Sequence, residues 1–334
     1  MIYHIGAHST DNAGDSVILD SMTRLFEQVD PEIVRVHDWK PDERWEEYNQ
    51  SRGVVVGGGG LFIRDTHRNE NSGWRWNITT QSLNNINVPL VLYAVGYNRF
   101  RGQPDYSPVF REHIKVVLEK AAFFSMREKG SIDLMRHYVG DLADKIIYQP
   151  CPASVCGLIY PNTHTKQDSN ILVFAPAMDR LQMRGNVRAI VPALKQAVKE
   201  GWCLKIATHC LSDRDFLRYL RDVKCEEVIL RKKPASEILD FYSQAGCVVG
   251  MRLHSLLIPF GLGVPIVPVI SHDKITNWLK DIGHEHWGVE LQEKGIVEKL
   301  LPRIRSGIVD LAARDRLYKI TLDNMEKIRG ILNG

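Results

Sequence analysis

The second half of the chain repeats one local pattern with little interruption: a short apolar run, a polar or glycine-bearing turn, then a longer amphipathic segment. Residues 171–177 (ILVFAPA) precede NVRAIVPALKQAVKEG (186–201), where Gly201 marks a C-terminal stop, and CLKIATHC (203–210) follows. SDRDFLRYLRDV with Ser212 as its expected N-cap, EEVILRK, PASEILDFYSQAG, CVVGM, LHSLLIPFGLG, PIVPVI and KITNWLKDIG continue the alternation. Apolar runs without internal alternation predict strands buried on both faces, and the helical segments between them predict crossovers of a parallel sheet. The class is therefore α/β.

The first half begins the same way. IYHIG (2–6) leads through a polar loop to SVILDSMTRLFEQV (16–29), in which Ile18, Met22, Leu25, Phe26 and Val29 share one helical face. Residues 52–62, 88–96 and 121–127 are further strand-like runs. Between the halves, residues 150–170 carry three prolines and a polar tract that break the rhythm and suit a linker. The expected division is 1–161, 162–306 and a helical tail over 307–334. At 334 residues, two domains of ~100–200 residues each are anticipated.

Hydrophobic residues at 44% and charged residues at 25% exclude a disordered, collagen-like or coiled-coil chain. A formal charge of +3 gives no reason to expect a nucleic-acid partner. No apolar stretch approaches ~18 residues and the opening MIYHIGAHSTDNAGD has no signal-like pattern, so a cytoplasmic protein is expected. Peripheral contact with a membrane is compatible with the basic stretch around Lys299, Arg303 and Arg305, as is a solvated face. The six cysteines form no CxxC pair and read as buried free thiols.

In open α/β sheets ligands bind at the carboxyl ends of the strands, which directs attention to the polar residues there. Arg252 and His254 follow the run CVVG where a helix begins, and a helix N-terminus with an adjacent guanidinium makes an anion site. An arginine paired to a nearby acid and a packed histidine fit the same spacing. Lys274, one helix and one strand later, returns to that edge. In DNAGDSVILD (11–20), Asn12 and Gly14 supply turn chemistry and Asp15 or Ser16 a cap, with Asp15 also a candidate proton acceptor.

Gly57 to Gly60 allow close backbone approach to a ligand or a tight turn, and match neither GxGxxG nor a P-loop. Arg127 is a second anion candidate, and Arg180 and Arg184 a third, solvated cluster. The histidines form no HExxH, so no zinc site is expected, and the absence of GxSxG leaves hydrolase chemistry unsupported.

Taken in order, NAGD (12–15), VVVGGGGLF (54–62), SMREKGS (125–131), VVGMRLHSLLIPFGLGVPIVPV (248–269) and the Asp-Lys pair at 273–274 resemble the polysaccharide pyruvyl transferase family. The resemblance implies a GT-B-like fold, two Rossmann-like domains with parallel sheets facing an interdomain cleft. It implies transfer of pyruvate from phosphoenolpyruvate onto two hydroxyls of a saccharide as a cyclic ketal, with no metal or other cofactor. Residues 1–161 would take the acceptor and 162–306 the phosphoenolpyruvate. Carried over, His254 and Asp15 would be catalytic, and Arg127, Arg252, Leu253, Lys274, Asn12, Gly58 and Gly59 would bind substrate. Whether the acceptor is free, nucleotide-bound or lipid-linked stays open. Two other readings fit the frame: a GT-B glycosyltransferase using a nucleotide sugar, and a non-catalytic sugar-binding protein.

Overall fold

The computed structural model describes residues 1–64, 66, 69–100, 102–163, 165, 169–179 and 186–334. Its strands are β1 (Ile2–Gly6), β2 (Ile33–His37), β3 (Val54–Phe62), β4 (Leu90–Tyr97), β5 (Phe123–Met126) and β6 (Ile147–Tyr148), then β7 (Ile171–Ala175), β8 (Cys203–Thr208), β9 (Cys225–Ile229), β10 (Cys247–Gly250), β11 (Ile266–Ile270) and β12 (Val289–Glu290). Every pairing among them is parallel. They form two six-stranded sheets, ordered β2-β1-β3-β4-β5-β6 and β12-β11-β10-β7-β8-β9. Both are Rossmann-like, in agreement with the expected class.

One compact unit comprises 1–8, 18–152 and 318–334; the other comprises 9–17 and 153–317. The chain thus passes between units at 152/153, nine residues before the boundary expected at 161/162. Two segments that the sequence placed otherwise also change sides. Residues 9–17 count with the second sheet, because the Ala13 amide donates to the carbonyl of His209 and the Lys232 amide to that of Thr10. Residues 318–334, the end of the helix Leu311–Asn333, count with the first: Asn324 donates to the carbonyl of Tyr148 and to Gln149.

The first sheet buries Val54, Val56, Leu90, Leu92, Phe124 and Met126 against Phe62, Trp74, Trp76 and Phe110. The second buries Leu172, Phe174, Ile206, Val249, Val267 and Val269 against Leu194, Phe216 and Leu300. The three strands absent from the sequence reading, β2, β6 and β12, all lie at sheet edges. The segment 211–219 is a 3-10 helix capped by Cys210, not by Ser212, because Asp213 bonds back to the Cys210 amide. All six cysteines are free thiols, but only Cys151, Cys156 and Cys247 are buried. Cys203 is exposed at the start of β8, and Cys225 is half-buried on the edge strand β9. Among the described residues no helix is long and apolar enough to cross a membrane.

Burial fixes the charge of several histidines. It lowers His4 to about 3, His113 to about 4 and His209 to about 3, and His113 is held neutral between the Trp74 indole N–H and the Ile78 carbonyl. In the unfolded chain each titrates near ~6.5. Between pH 6.5 and 4 the unfolded state therefore binds more protons, so this stability is complete above pH 6.5 and is lost as pH falls through that window. The urea midpoint at pH 5 is expected to lie well below that at pH 7.5. A midpoint unchanged over that range would show that these imidazoles protonate in place.

Candidate active site

In the second sheet, β7 lies beside β10, and there the connections turn to opposite sides, the switch point at which such sheets bind ligands. The loop after β10 carries Met251, Arg252 and Leu253, and His254 opens the helix His254–Leu262. That helix is buried from Ser255 to Leu262, apolar all round, and stopped by Gly263 in the left-handed conformation. A helix so enclosed is fixed in place, and only its N-terminus meets the polar edge.

Arg252 extends across the switch point. Its Nε donates to Asp213 Oδ2 at 2.9 Å, and its Nη2 to Asp213 Oδ1 and to Asp179 Oδ1, both at 2.6 Å. Asp213 is fully buried and also accepts the amides of Met178, His209 and Cys210 at 3.0–3.2 Å. One carboxylate thus ties three loops together. Burial opposes the charge on Arg252, but Asp213 and Asp179 outweigh it and raise its pKa. The paired-arginine alternative therefore holds for the Nε–Nη2 edge. Nη1 makes no hydrogen bond among the described residues.

His209 and Tyr242, absent from the sequence reading, support this corner. Both are completely buried, with Nε2 and the phenol oxygen 2.5 Å apart. Neighbouring Cys210 is pushed up to about 11 by burial, with Arg252 opposing, so it is a thiol near neutrality.

The NAGD segment reaches the same corner from the far end of the chain. Asn12 Oδ1 accepts the Gly14 amide at 2.9 Å, so Asn12, rather than Asp15 or Ser16, caps the helix Ala13–Glu27. Asp15 stands in its first turn. Gly14 lies against His254: a β-carbon there would sit 2.1 Å from the imidazole Nδ1 and 2.6 Å from the histidine Cβ. Only glycine permits that approach. Lys274 lies in the first turn of the helix Asp273–Asp281, its amide bonded to Nδ1 of the capping His272 at 3.1 Å. Ser271 ties this loop to the previous one by donating to the Met251 carbonyl at 2.6 Å. Asn12, Asp15, Arg252, Leu253, His254 and Lys274 thus share one unit, at or beside the carboxyl edge of its sheet.

The remaining predicted residues belong to the other unit. Arg127 follows β5, only 2% exposed, with Nε donating to Glu128 at 2.6 Å and the guanidinium flat against Gly96. Glu128 also accepts from Ser131 at 3.0 Å. Asn98 lies between Arg127, at 3.5 Å, and the Gly60 carbonyl, at 3.3 Å. Gly58 serves packing: a β-carbon would strike Met22 and Ile18 at 2.7 and 2.8 Å. Gly59, with φ +121°, has open space on that side and keeps the ligand-approach role available. The expected cluster of Arg180 and Arg184 lies outside the described residues. Among the described residues no group of His, Cys, Asp and Glu is arranged to hold a metal.

Several solved structures share the fold. A glycosyltransferase from Rickettsia africae matches with a TM-score of 0.56 at 12% identity, over 99% of this chain and 98% of its own. The Methanocaldococcus jannaschii UDP-GlcNAc 2-epimerase, solved with UDP-GlcNAc and UDP, matches with 0.53 at 11%, over 96% and 98%. MnaA of S. aureus, solved with UDP, matches with 0.53 at 11%, over 95% and 94%. At such identities the likeness is one of fold, here GT-B-like with two Rossmann-like domains. No curated protein matches the sequence. The family model for polysaccharide pyruvyl transferases matches residues 12–274, spanning both motifs that meet at Gly14 and His254. The chain belongs to the polysaccharide pyruvyl transferase family.

Proposed function

We propose that this polysaccharide-modifying transferase moves pyruvate from phosphoenolpyruvate onto two hydroxyls of a saccharide, releasing phosphate and leaving a cyclic ketal. The observation that carries this reading is the contact of Gly14 with the His254 imidazole, which sets a histidine, an aspartate at a helix N-terminus and an arginine fork at one switch point.

The reaction needs those groups. The enol methylene of phosphoenolpyruvate takes a proton while a sugar hydroxyl attacks the adjacent carbon. The C–O bond to phosphate breaks, phosphate leaving with the electron pair, and the second hydroxyl closes the ring as its proton passes to the group that protonated the methylene. His254 is the donor to the methylene, since an imidazole with a pKa near ~6.5 holds a proton near neutrality once an anion is bound beside it. Asp15 accepts the proton of the attacking hydroxyl. Arg252 Nη1, Lys274 and the amides at the N-terminus of the helix His254–Leu262 balance the carboxylate and the departing phosphate. The reaction so written uses no metal and no nucleotide sugar. Its setting is cytoplasmic, with the acceptor free in solution or presented at the inner face of the membrane.

Incubation with phosphoenolpyruvate and a panel of saccharides is expected to release inorganic phosphate in step with a new ketal methyl resonance. Release of nucleoside diphosphate from nucleotide sugars, without phosphate from phosphoenolpyruvate, would instead establish a glycosyltransferase.

A further inference from the structure

The two carboxylates on Arg252 are not equivalent. Asp213 is fully buried, grips the Nε–Nη2 edge with both oxygens, and is itself held by three backbone amides. Asp179 is 38% exposed and touches Nη2 through one oxygen, at the end of the fork where Nη1 also points. An arginine fork binds a carboxylate best with two parallel N–H bonds, and Nη1 with Nη2 is the second pair it offers.

We propose that Asp179 stands in the seat of the donor's carboxylate, and that the donor displaces it from Nη2 while Asp213 keeps the guanidinium in place. This rests on the phosphoenolpyruvate reading for the identity of the donor, but not for the existence of the seat. Charge supports it. Asp179 already places a carboxylate at the Nη2 end of the fork, where the carboxylate of a donor would bind. A donor carboxylate and that of Asp179 compete for the same N–H of Nη2 and repel each other there, so Asp179 sets the donor affinity and selects for ligands whose carboxylate takes both Nη atoms.

Asp179→Asn keeps the size and an acceptor oxygen while removing the charge. It is expected to bind phosphoenolpyruvate about tenfold more tightly in calorimetry without acceptor, a difference of about 1.4 kcal/mol. Malonate, which has carboxylates but neither phosphate nor enol, is expected to gain similarly. Equal or weaker binding of both probes to the variant, or no binding of either to any form, overturns the proposal. Tighter malonate binding with no binding of phosphoenolpyruvate upholds the seat and removes the donor assignment instead. Sulfate, lacking a planar carboxylate, is the control; a gain for sulfate equal to that for malonate would mean simple charge removal and would also overturn the proposal.

Discussion

His254→Ala is expected to keep the fold and to lose turnover by about 10² to 10⁴, the usual contribution of a positioned general acid. The helix that begins at His254 is anchored by its buried residues from Ser255 onward, so truncating the first side chain leaves the packing in place. The change in urea midpoint should correspond to less than about 1 kcal/mol, as for substitutions away from a core. Phosphoenolpyruvate affinity should fall far less than turnover, because the helix N-terminus, Lys274 and Arg252 remain. Turnover within threefold of the parent enzyme would remove His254 from the chemistry. Intact ligand affinity in a protein with no turnover before or after the substitution would favour a binding protein.

Asp213→Ala acts through the opposite route, stability first and activity as a consequence. It leaves the Arg252 guanidinium with Asp179 alone and strips the amides of Met178, His209 and Cys210 of their acceptor. Breaking one side of a buried ion pair typically costs about 3–5 kcal/mol, because the other charge stays buried. That is a large share of the ~5–15 kcal/mol by which domains are stable, so the urea transition of this unit should shift strongly or disappear at 37 °C. Where the variant still folds, the KM for the donor should rise through misplacement of Arg252. A loss below about 1 kcal/mol would mean that water reaches the pair in solution and that the three loops are held by other contacts.

The two substitutions also separate what was legible in the sequence from what was not. His254 was visible because it follows a buried apolar strand and opens an equally apolar helix, and both patterns are local. Asp213 was not, because it sits 39 residues from Arg252 in a segment that reads as a solvated amphipathic helix. No periodicity marks an acid as the partner of an arginine two strands away. Arg127 was visible for the same reason as Arg252, but its engagement with Glu128 was hidden, since neighbours in sequence usually point apart and only the turn into the helix Lys129–Val139 folds this pair together.

The edge strands failed differently. β2 is half-exposed, while β6 and β12 are two residues long, so none carries the continuous apolar run that announces a central strand. The cap assignments erred because Asn12, Asp15 and Ser16 all suit a helix start, and only the hydrogen bond to Gly14 decides among them.

The α/β class, the alternation of the central strands with their helices, and the residues standing at the ends of those strands were determined by the sequence alone. Each follows from spacing along a short stretch of chain, and burial on one or both faces writes itself into that spacing. Which of those residues meet was decided by the tertiary structure. Setting β10 beside β7 brought Arg252 onto Asp179, and bringing residues 9–17 to the second sheet set Gly14 against His254. Contacts of that kind depend on strand order and on close approach of backbone to side chain, neither of which leaves a period in the sequence.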